Sequence, residues 1–225
     1  MKPRLAAIVP MRHTSERVPG KNYRPLGGRP LFHHIIETLR ACPEIDEIVI
    51  DTDSDTIRTD AAASFPDVQV VERPAHLRAG TVPMNDVLLH DMGRVEADLY
   101  LQTHSTNPLL RAATISDAIG RFLAARPEND SLFGVTRLQT RIWTADGKPL
   151  NHDPAVLLRT QDLEPLFEEN SCMYLFTREL LEEGGTRIGA RPLMHEIPRD
   201  EAWDIDEEID FEVASALFAA RSVHE

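Results

Sequence analysis

Cysteine is scarce. Cys42 and Cys172 are the only two in 225 residues, so neither a disulfide framework nor a Cys-based zinc site is supported. Long apolar runs are also missing. No stretch approaches the roughly 18 residues that a membrane span requires, and no apolar segment near Met1 reads as a signal peptide, so the expectation is a soluble, cytoplasmic protein. Two phosphate-binding fingerprints are absent: neither G-x-x-x-x-G-K-[ST] nor G-x-G-x-x-G occurs, which removes the P-loop and the dinucleotide-binding turn. The nine histidines show no H-E-x-x-H spacing, and no Ser/His/Asp arrangement can be argued. Positive charge is in deficit. The net charge of −13 speaks against general affinity for nucleic acid or anionic membranes.

What charge there is has been sorted. From Met1 to Arg29 seven Lys or Arg residues face Glu16 alone, a local excess of +6. From Glu196 to Glu212 nine carboxylates face only Arg199, a local excess of −8. One end suits an anion and the other a divalent cation. A metal–nucleotide complex needs both.

The chain reads as alternating strands and helices. Leu5 to Val9 is a short buried strand that breaks at Pro10. Pro30 opens a helix through Arg40, Ile45 to Asp51 is a second strand, and Ser54 is an N-cap for a helix to Ser64. Val68 to Val71 is a third strand, Pro83 to Val95 a helix, Ala97 to Gln102 a fourth strand, Ala113 to Ala125 a helix and Leu132 to Leu138 a fifth strand. This order predicts a single α/β domain over 1–225, with a doubly wound, mainly parallel sheet. Residues 139–160 hold an Ala-Asp-Gly-Lys-Pro turn, which suggests a small β-hairpin arm and a dimer contact. The main pattern resumes at Met173 to Phe176. It ends in a helix from about Asp206 with Ile209, Val213, Ala216, Leu217 and Ala220 facing inward.

Four constellations could carry chemistry. After the first strand, Arg12, Ser15, Gly20, Lys21 and Asn22 form a basic, Gly-containing loop where an α/β sheet can hold a polyphosphate. A solvated basic loop is the alternative. Asp204 and Asp206, at i and i+2 of an extended segment, project to one face and could bind Mg²⁺ with phosphate oxygens. Capping of the following helix by Asp206 is the plainer reading. Asp53, Arg73, Gln102 and His104 stand near the other strand ends, each also readable as an ordinary loop residue. Arg159, with Gln161, Asn170 and Tyr174, follows the arm. Arg159 could pair with a substrate carboxylate or form a surface salt bridge.

The loop Pro10 to Asn22, ending Pro-Gly-Lys-Asn, with Arg24-Pro25-Leu26-Gly27-Gly28-Arg29-Pro30-Leu31 after it, resembles the acylneuraminate cytidylyltransferases. Ile50-Asp51-Thr52-Asp53, Glu72-Arg73-Pro74 and Trp203-Asp204-Ile205-Asp206-Glu207-Glu208-Ile209-Asp210-Phe211 match in the same order. The resemblance implies a Rossmann-like fold of the nucleotide-diphospho-sugar transferase type and a homodimer built with the arm. It implies Mg²⁺-dependent transfer of CMP from CTP to the anomeric hydroxyl of an acidic 2-keto sugar, with release of pyrophosphate. Pro10, Met11, Arg12, Ser15, Lys21 and Asn22 would surround the ribose and phosphates, and Arg73 would lie near the base. Asp204 and Asp206 would hold the metal; with Arg12 and Lys21 they form the expected catalytic group. Gln102, Arg159, Asn170 and Tyr174 would face the acceptor. The acceptor side departs from the family pattern. Thr103 to Arg111 is longer than usual, and Phe167-Glu168-Glu169-Asn170-Ser171 places an acidic pair where an arginine is usual. The expected acceptor is therefore an acid other than ordinary N-acetylneuraminate. A sugar-phosphate nucleotidyltransferase and a non-catalytic nucleotide binder are the rival readings.

Overall fold

The computed structural model describes residues 2–222. Strand β1 (Leu5–Met11) is buried at all seven positions. Its run of apolar residues suits a strand covered on both faces. A two-residue antiparallel ribbon, β2 (Pro25–Leu26) with β3 (Arg29–Pro30), leads into α1 (Leu31–Arg40). Strand β4 (Glu47–Thr52) pairs with β1, and helix α2 (Asp55–Ser64) follows it. The Ser54 hydroxyl accepts the Ile57 N–H at 3.3 Å, which is the expected N-cap. The chain continues through β5 (Gln69–Glu72), α3 (Met84–Met92), β6 (Leu99–Thr103), α4 (Ala112–Ala125), β7 (Ser131–Leu138), β8 (Leu166–Phe176), α5 (Arg178–Gly184), β9 (Pro192–Glu196) and α6 (Glu208–Ser222). Among the described residues no helix is long and apolar enough to cross a membrane.

The seven-stranded sheet has the order β5-β4-β1-β6-β8-β7-β9. Every pairing is parallel except those of β8, which runs antiparallel to β6 and β7. The sheet is mainly parallel, as expected. Alternation along β1 builds two core layers. Leu5, Ala7, Val9 and Met11 pack beneath α1, α2 and α4, with Phe32, Ile57 and Phe122. Ala6 and Ile8 pack on the opposite face with Leu88 and Met92 of α3 and Leu181 of α5. Helices on both faces leave the carboxyl ends of β1, β4 and β6 open at one edge, where α/β proteins bind ligands.

A third apolar cluster positions that edge. Val18 and Leu26, from the segment after β1, pack with Ile205, Phe211 and Ala214 from the C-terminal part of the chain. Ile205 is fully buried, a side-chain burial worth about 1.5–3 kcal/mol. It ties the acidic segment to the basic loop across more than 180 positions of chain.

Several expectations shift. Strand β4 starts at Glu47, not Ile45, because the Ile45 N–H closes a turn on the Cys42 carbonyl at 3.2 Å. Strand β8 begins at Leu166, so Phe167 to Ser171 are strand residues, whereas the sequence showed only Met173–Phe176. Its pairing with β7 slips between Phe133 and Val135; beside the slip, Ser171 adopts φ 56°. The short helix α5 and strand β9 have no counterpart in the expected pattern. The last helix starts at Glu208 rather than Asp206 and buries Phe211 and Ala214; Ile209, Ala216 and Ala220, expected inside, are exposed, Ile209 at 61 %. Residues 139–160 leave the sheet as an arm with one antiparallel bridge, Trp143 to Pro149. It exposes Trp143, Leu150, Val156, Leu157 and Leu158.

Candidate active site

A cleft of about 840 Å³ opens at the carboxyl edge of β1. Its walls take in Pro10, Met11, Arg12, Ser15, Lys21, Asn22 and Arg73, together with Asp204 and Asp206. Every residue expected at the nucleotide and the metal therefore lines one cavity, although the two groups stand at opposite ends of the chain.

The loop is braced from within. Gly20, at φ 67°, turns the chain into Lys21; a Cβ there would lie 2.9 Å from the Tyr23 ring. The Asn22 amide donates to the Arg12 carbonyl at 2.8 Å and accepts from the Ser105 hydroxyl at 2.7 Å. Asn22 thus shapes the loop as well as lining the cleft. The Lys21 ammonium donates to the Ile205 carbonyl at 2.5 Å and stands 3.8 Å from Asp206 Oδ1. Burial holds its pKa below the ordinary lysine value, while Asp206 and Asp204 act in the opposite sense. Arg17, of the same basic loop, donates to Asp206 at 2.8 Å and Glu207 at 3.3 Å.

Capping of the last helix falls to Asp210 rather than Asp206. The Asp210 carboxylate accepts the Asp206 and Glu207 N–H groups at 3.0 and 2.7 Å, so Asp206 does not act as the expected N-cap. Its side chain, paired with Arg17, faces the cleft. Ile205 points into the core, and Asp204 and Asp206 take the other face, as the i, i+2 spacing predicts. Asp204 Oδ1 is buried without a hydrogen-bond partner. Burial is the main cause that lifts the Asp204 pKa, with the Asp206 charge adding to it. A buried carboxylate oxygen with nothing to accept from, beside a second carboxylate, fits a hard divalent cation. The longer loop after β6 supports this segment: the Ile205 N–H donates to the Thr106 carbonyl at 3.0 Å.

Arg73 closes the β4–β5 end of the cleft and is 3 % exposed. Its guanidinium pairs with Asp51, which is fully buried on β4. Behind them lies a second fully buried acid, Asp91 of α3, whose Oδ1 is 3.1 Å from His90 Nδ1 and whose carboxyl stands within 4.8 Å of that of Asp51. Burial, and then the Asp51 charge, push the Asp91 pKa up to about 9. Asp51 is raised mainly by burial, against the pull of Arg73. One cation thus faces two carboxyl groups, of which Asp91 keeps its proton at neutral pH.

The acceptor-side expectations fare differently. Gln102 is fully buried and does not line the cleft; its Nε2 lies 2.7 Å from His104 Nε2, and His104 forms part of the wall. Burial, with the charges of Arg187 and Lys21, lowers the His104 pKa to about 4, so its imidazole is neutral. Arg159 turns to Asp162 at 2.6 Å and does not line the cleft. Asn170 binds Thr136 at 3.0 Å and the Cys172 N–H at 3.2 Å. The Tyr174 hydroxyl is held by Glu169 at 2.5 Å and Ser171 at 3.1 Å. None of the four expected acceptor residues lines the cleft: Gln102 lies in the core, Arg159 turns to Asp162, and β8 is a strand whose alternation beside the slip presents Ser171, not Asn170 or Tyr174, to the cavity. Asp53 accepts the His13 N–H at 2.7 Å and braces the loop. Sequence reasoning missed Gly80 and Arg187 on the walls. Neither belongs to a recognisable pattern. Gly80 leaves room for Arg12, whose Nη1 would lie 2.8 Å from a Cβ there.

The chain is similar to several known proteins. The N-acylneuraminate cytidylyltransferase of Oncorhynchus mykiss is 27 % identical over 222 residues, 95 % of this chain and 50 % of that protein. The 3-deoxy-manno-octulosonate cytidylyltransferase of Myxococcus xanthus is 32 % identical over 119 residues, covering 53 % of this chain and 46 % of its own. The chain thus spans about half the length of these curated relatives. The post-translational flagellin modification protein B of Campylobacter coli is 24 % identical with 94 % of each chain covered. Among solved structures, a CMP:2-keto-3-deoxy-manno-octonic acid synthetase complexed with CTP superposes with a TM-score of 0.71 at 16 % identity, covering 97 % of this chain and 99 % of its own. It shares the fold. The family model described as cytidylyltransferase matches residues 6–212, from β1 to the start of α6, and the chain belongs to the cytidylyltransferase family.

Proposed function

We propose that this protein transfers CMP from CTP to the anomeric hydroxyl of an acidic 2-keto sugar and releases pyrophosphate. The observation that carries the reading is the meeting of the Arg12–Asn22 loop with Asp204 and Asp206 in one cleft, pinned by Ile205. Membership of the family and relatives named for N-acylneuraminate and 3-deoxy-manno-octulosonate support it.

The difficulty in this chemistry is charge. An anionic acceptor must attack a polyanionic donor, so the phosphates have to be neutralised first. Arg12 and Lys21 would bind the phosphate oxygens, and Arg73 would close the base end. Asp204 and Asp206 would hold Mg²⁺, which when bound supplies positive charge at the phosphates. The neutral His104 adds no charge to the acceptor side. The acceptor oxygen forms a bond to the α-phosphorus while the bond to pyrophosphate breaks, in line and without a covalent enzyme intermediate. The exposed apolar side chains of the arm, Leu157 foremost at 90 % exposure, would be covered by a second copy of the chain in a homodimer.

The test is pyrophosphate release with CTP, Mg²⁺ and a panel of N-acetylneuraminate, other nonulosonates, 3-deoxy-manno-octulosonate and smaller acids, with the other three nucleoside triphosphates as controls. CTP-specific release with one acid is expected. Release with a sugar phosphate instead, or equal use of all four triphosphates, would overturn the reading.

A further inference from the structure

The cations around the cleft are not equivalent. Arg17 pairs with Asp206 and Glu207, Arg73 with Asp51, and Lys21 binds the Ile205 carbonyl close to Asp206. Among the described residues that line the cleft, two guanidinium groups carry neither a hydrogen bond nor an ion pair: Arg12 and Arg187. They come from different parts of the sheet edge. Arg12 belongs to the loop after β1. Arg187 follows α5 and lies over the Tyr174 ring of β8, its Cζ 3.8 Å from the ring centroid. With the strand order β5-β4-β1-β6-β8, Arg187 stands across β1 from the Arg73 end.

We propose that Arg187 binds the anionic group of the acceptor, taken here as its carboxylate, and is the specificity-determining residue of the acceptor side. This rests on the transferase reading above and names the residue that serves its second substrate.

Three observations support the assignment. Arg187 Nη1 is buried and has no hydrogen-bond partner. A charged donor withdrawn from water without an acceptor is costly unless a ligand completes it. The stacking on Tyr174 fixes the plane of the guanidinium, which is what bidentate capture of a carboxylate requires. The acid most able to neutralise it is engaged elsewhere: Glu169 accepts the Tyr174 hydroxyl at 2.5 Å and forms no ion pair with Arg187. The donor phosphates already have Arg12 and Lys21 on the loop of β1. Arg187, beyond β6, is left for a second anion.

The test compares wild type, Arg187→Ala and Arg187→Lys. Calorimetry with CTP and Mg²⁺ reads the donor site and shows that each variant is folded. Kinetics use N-acetylneuraminate and 3-deoxy-manno-octulosonate, with the C1 amide of whichever acid the wild type accepts. Arg187→Ala is expected to raise the acceptor KM about 10–100-fold, the loss typical of a bidentate charged pair. CTP affinity should stay within about two-fold. Arg187→Lys should fall between, and wild type and Arg187→Ala should use the amide equally poorly. An unchanged acceptor KM, or a CTP affinity weakened as much as the acceptor KM, would overturn the assignment alone. A wild-type protein that binds CTP but uses neither of these acids nor any other acid of the panel above would overturn it together with the acceptor half of the transferase reading. A wild type that does not bind CTP would remove the donor half on which both stand.

Discussion

Replacing Asp91 by Asn should change the sign of its effect with pH. Asp91 is fully buried, close beside Asp51, and raised to a pKa of about 9. Its ordinary value is 3.8. A group whose folded pKa exceeds its unfolded one lends its full stability below the unfolded value, and that stability is lost as pH rises toward the folded value. At pH 7 Asp91 is protonated in the native protein and ionised in the unfolded chain. Holding that proton costs about 4 kcal/mol at 1.36 kcal/mol per pH unit. Asn keeps the shape without a proton to hold. It leaves an N–H unmatched where Asp91 Oδ2 now lies, a cost of about 2 kcal/mol. The expected balance is a gain of about 2 kcal/mol at pH 7, a loss of about 2 kcal/mol near pH 4, and a crossing near pH 5. Urea denaturation of both proteins from pH 4 to pH 8 reads it directly. A variant less stable than wild type by 2 kcal/mol or more at pH 8 would mean that Asp91 is ionised and pairs with Arg73, and the reasoning would be wrong.

The other predictions concern metal and assembly. Asp204→Asn should abolish Mg²⁺-dependent pyrophosphate release, about 10²-fold or more, because it removes the charge of a buried ligand oxygen; Tm should hold or rise, since burial disfavours the ionised form. Retained turnover with unchanged Mg²⁺ dependence would remove the metal assignment. Leu157→Asp should shift the protein from dimer to monomer in sedimentation equilibrium without lowering monomer helicity, because Leu157 makes no core contact. A wild type that is already monomeric would remove the arm's assigned role.

How far the sequence could be read differs between the two halves of the site. The donor half was legible because its residues are local to two short motifs. Arg12 to Asn22 lie in one loop directly after a strand, and Asp204 and Asp206 sit two apart on an extended segment, so chain geometry nearly places them. The fold class was legible too, since strand–helix alternation leaves few arrangements. The acceptor half was not. Whether Asn170, Ser171 or Tyr174 faces the cleft depends on the register of β8 against β7, and a bulge there changes the facing of several residues. Arg187 had no motif around it. Its standing comes from stacking on a strand residue 13 positions earlier and from the nearby Glu169 being engaged by the Tyr174 hydroxyl instead. The pairing of Arg73 with Asp51 rather than with a ligand likewise follows from the parallel alignment of β4 with β5.

By itself the sequence determined the α/β architecture, the exclusion of P-loop and dinucleotide chemistry, and the two charged ends that a metal–nucleotide complex would need. These follow from periodicity, from residue type and from spacing over a few residues, all of which act within a short length of chain. Tertiary structure decided what those charges do. It packed Ile205 against Val18 and so brought the acidic segment to the basic loop, and it buried Asp51 and Asp91 beside Arg73. It also turned Arg159 outward and left Arg187 unpaired at the cleft. Burial and pairing depend on which distant segments share a core, and that is set by the packing of the whole sheet.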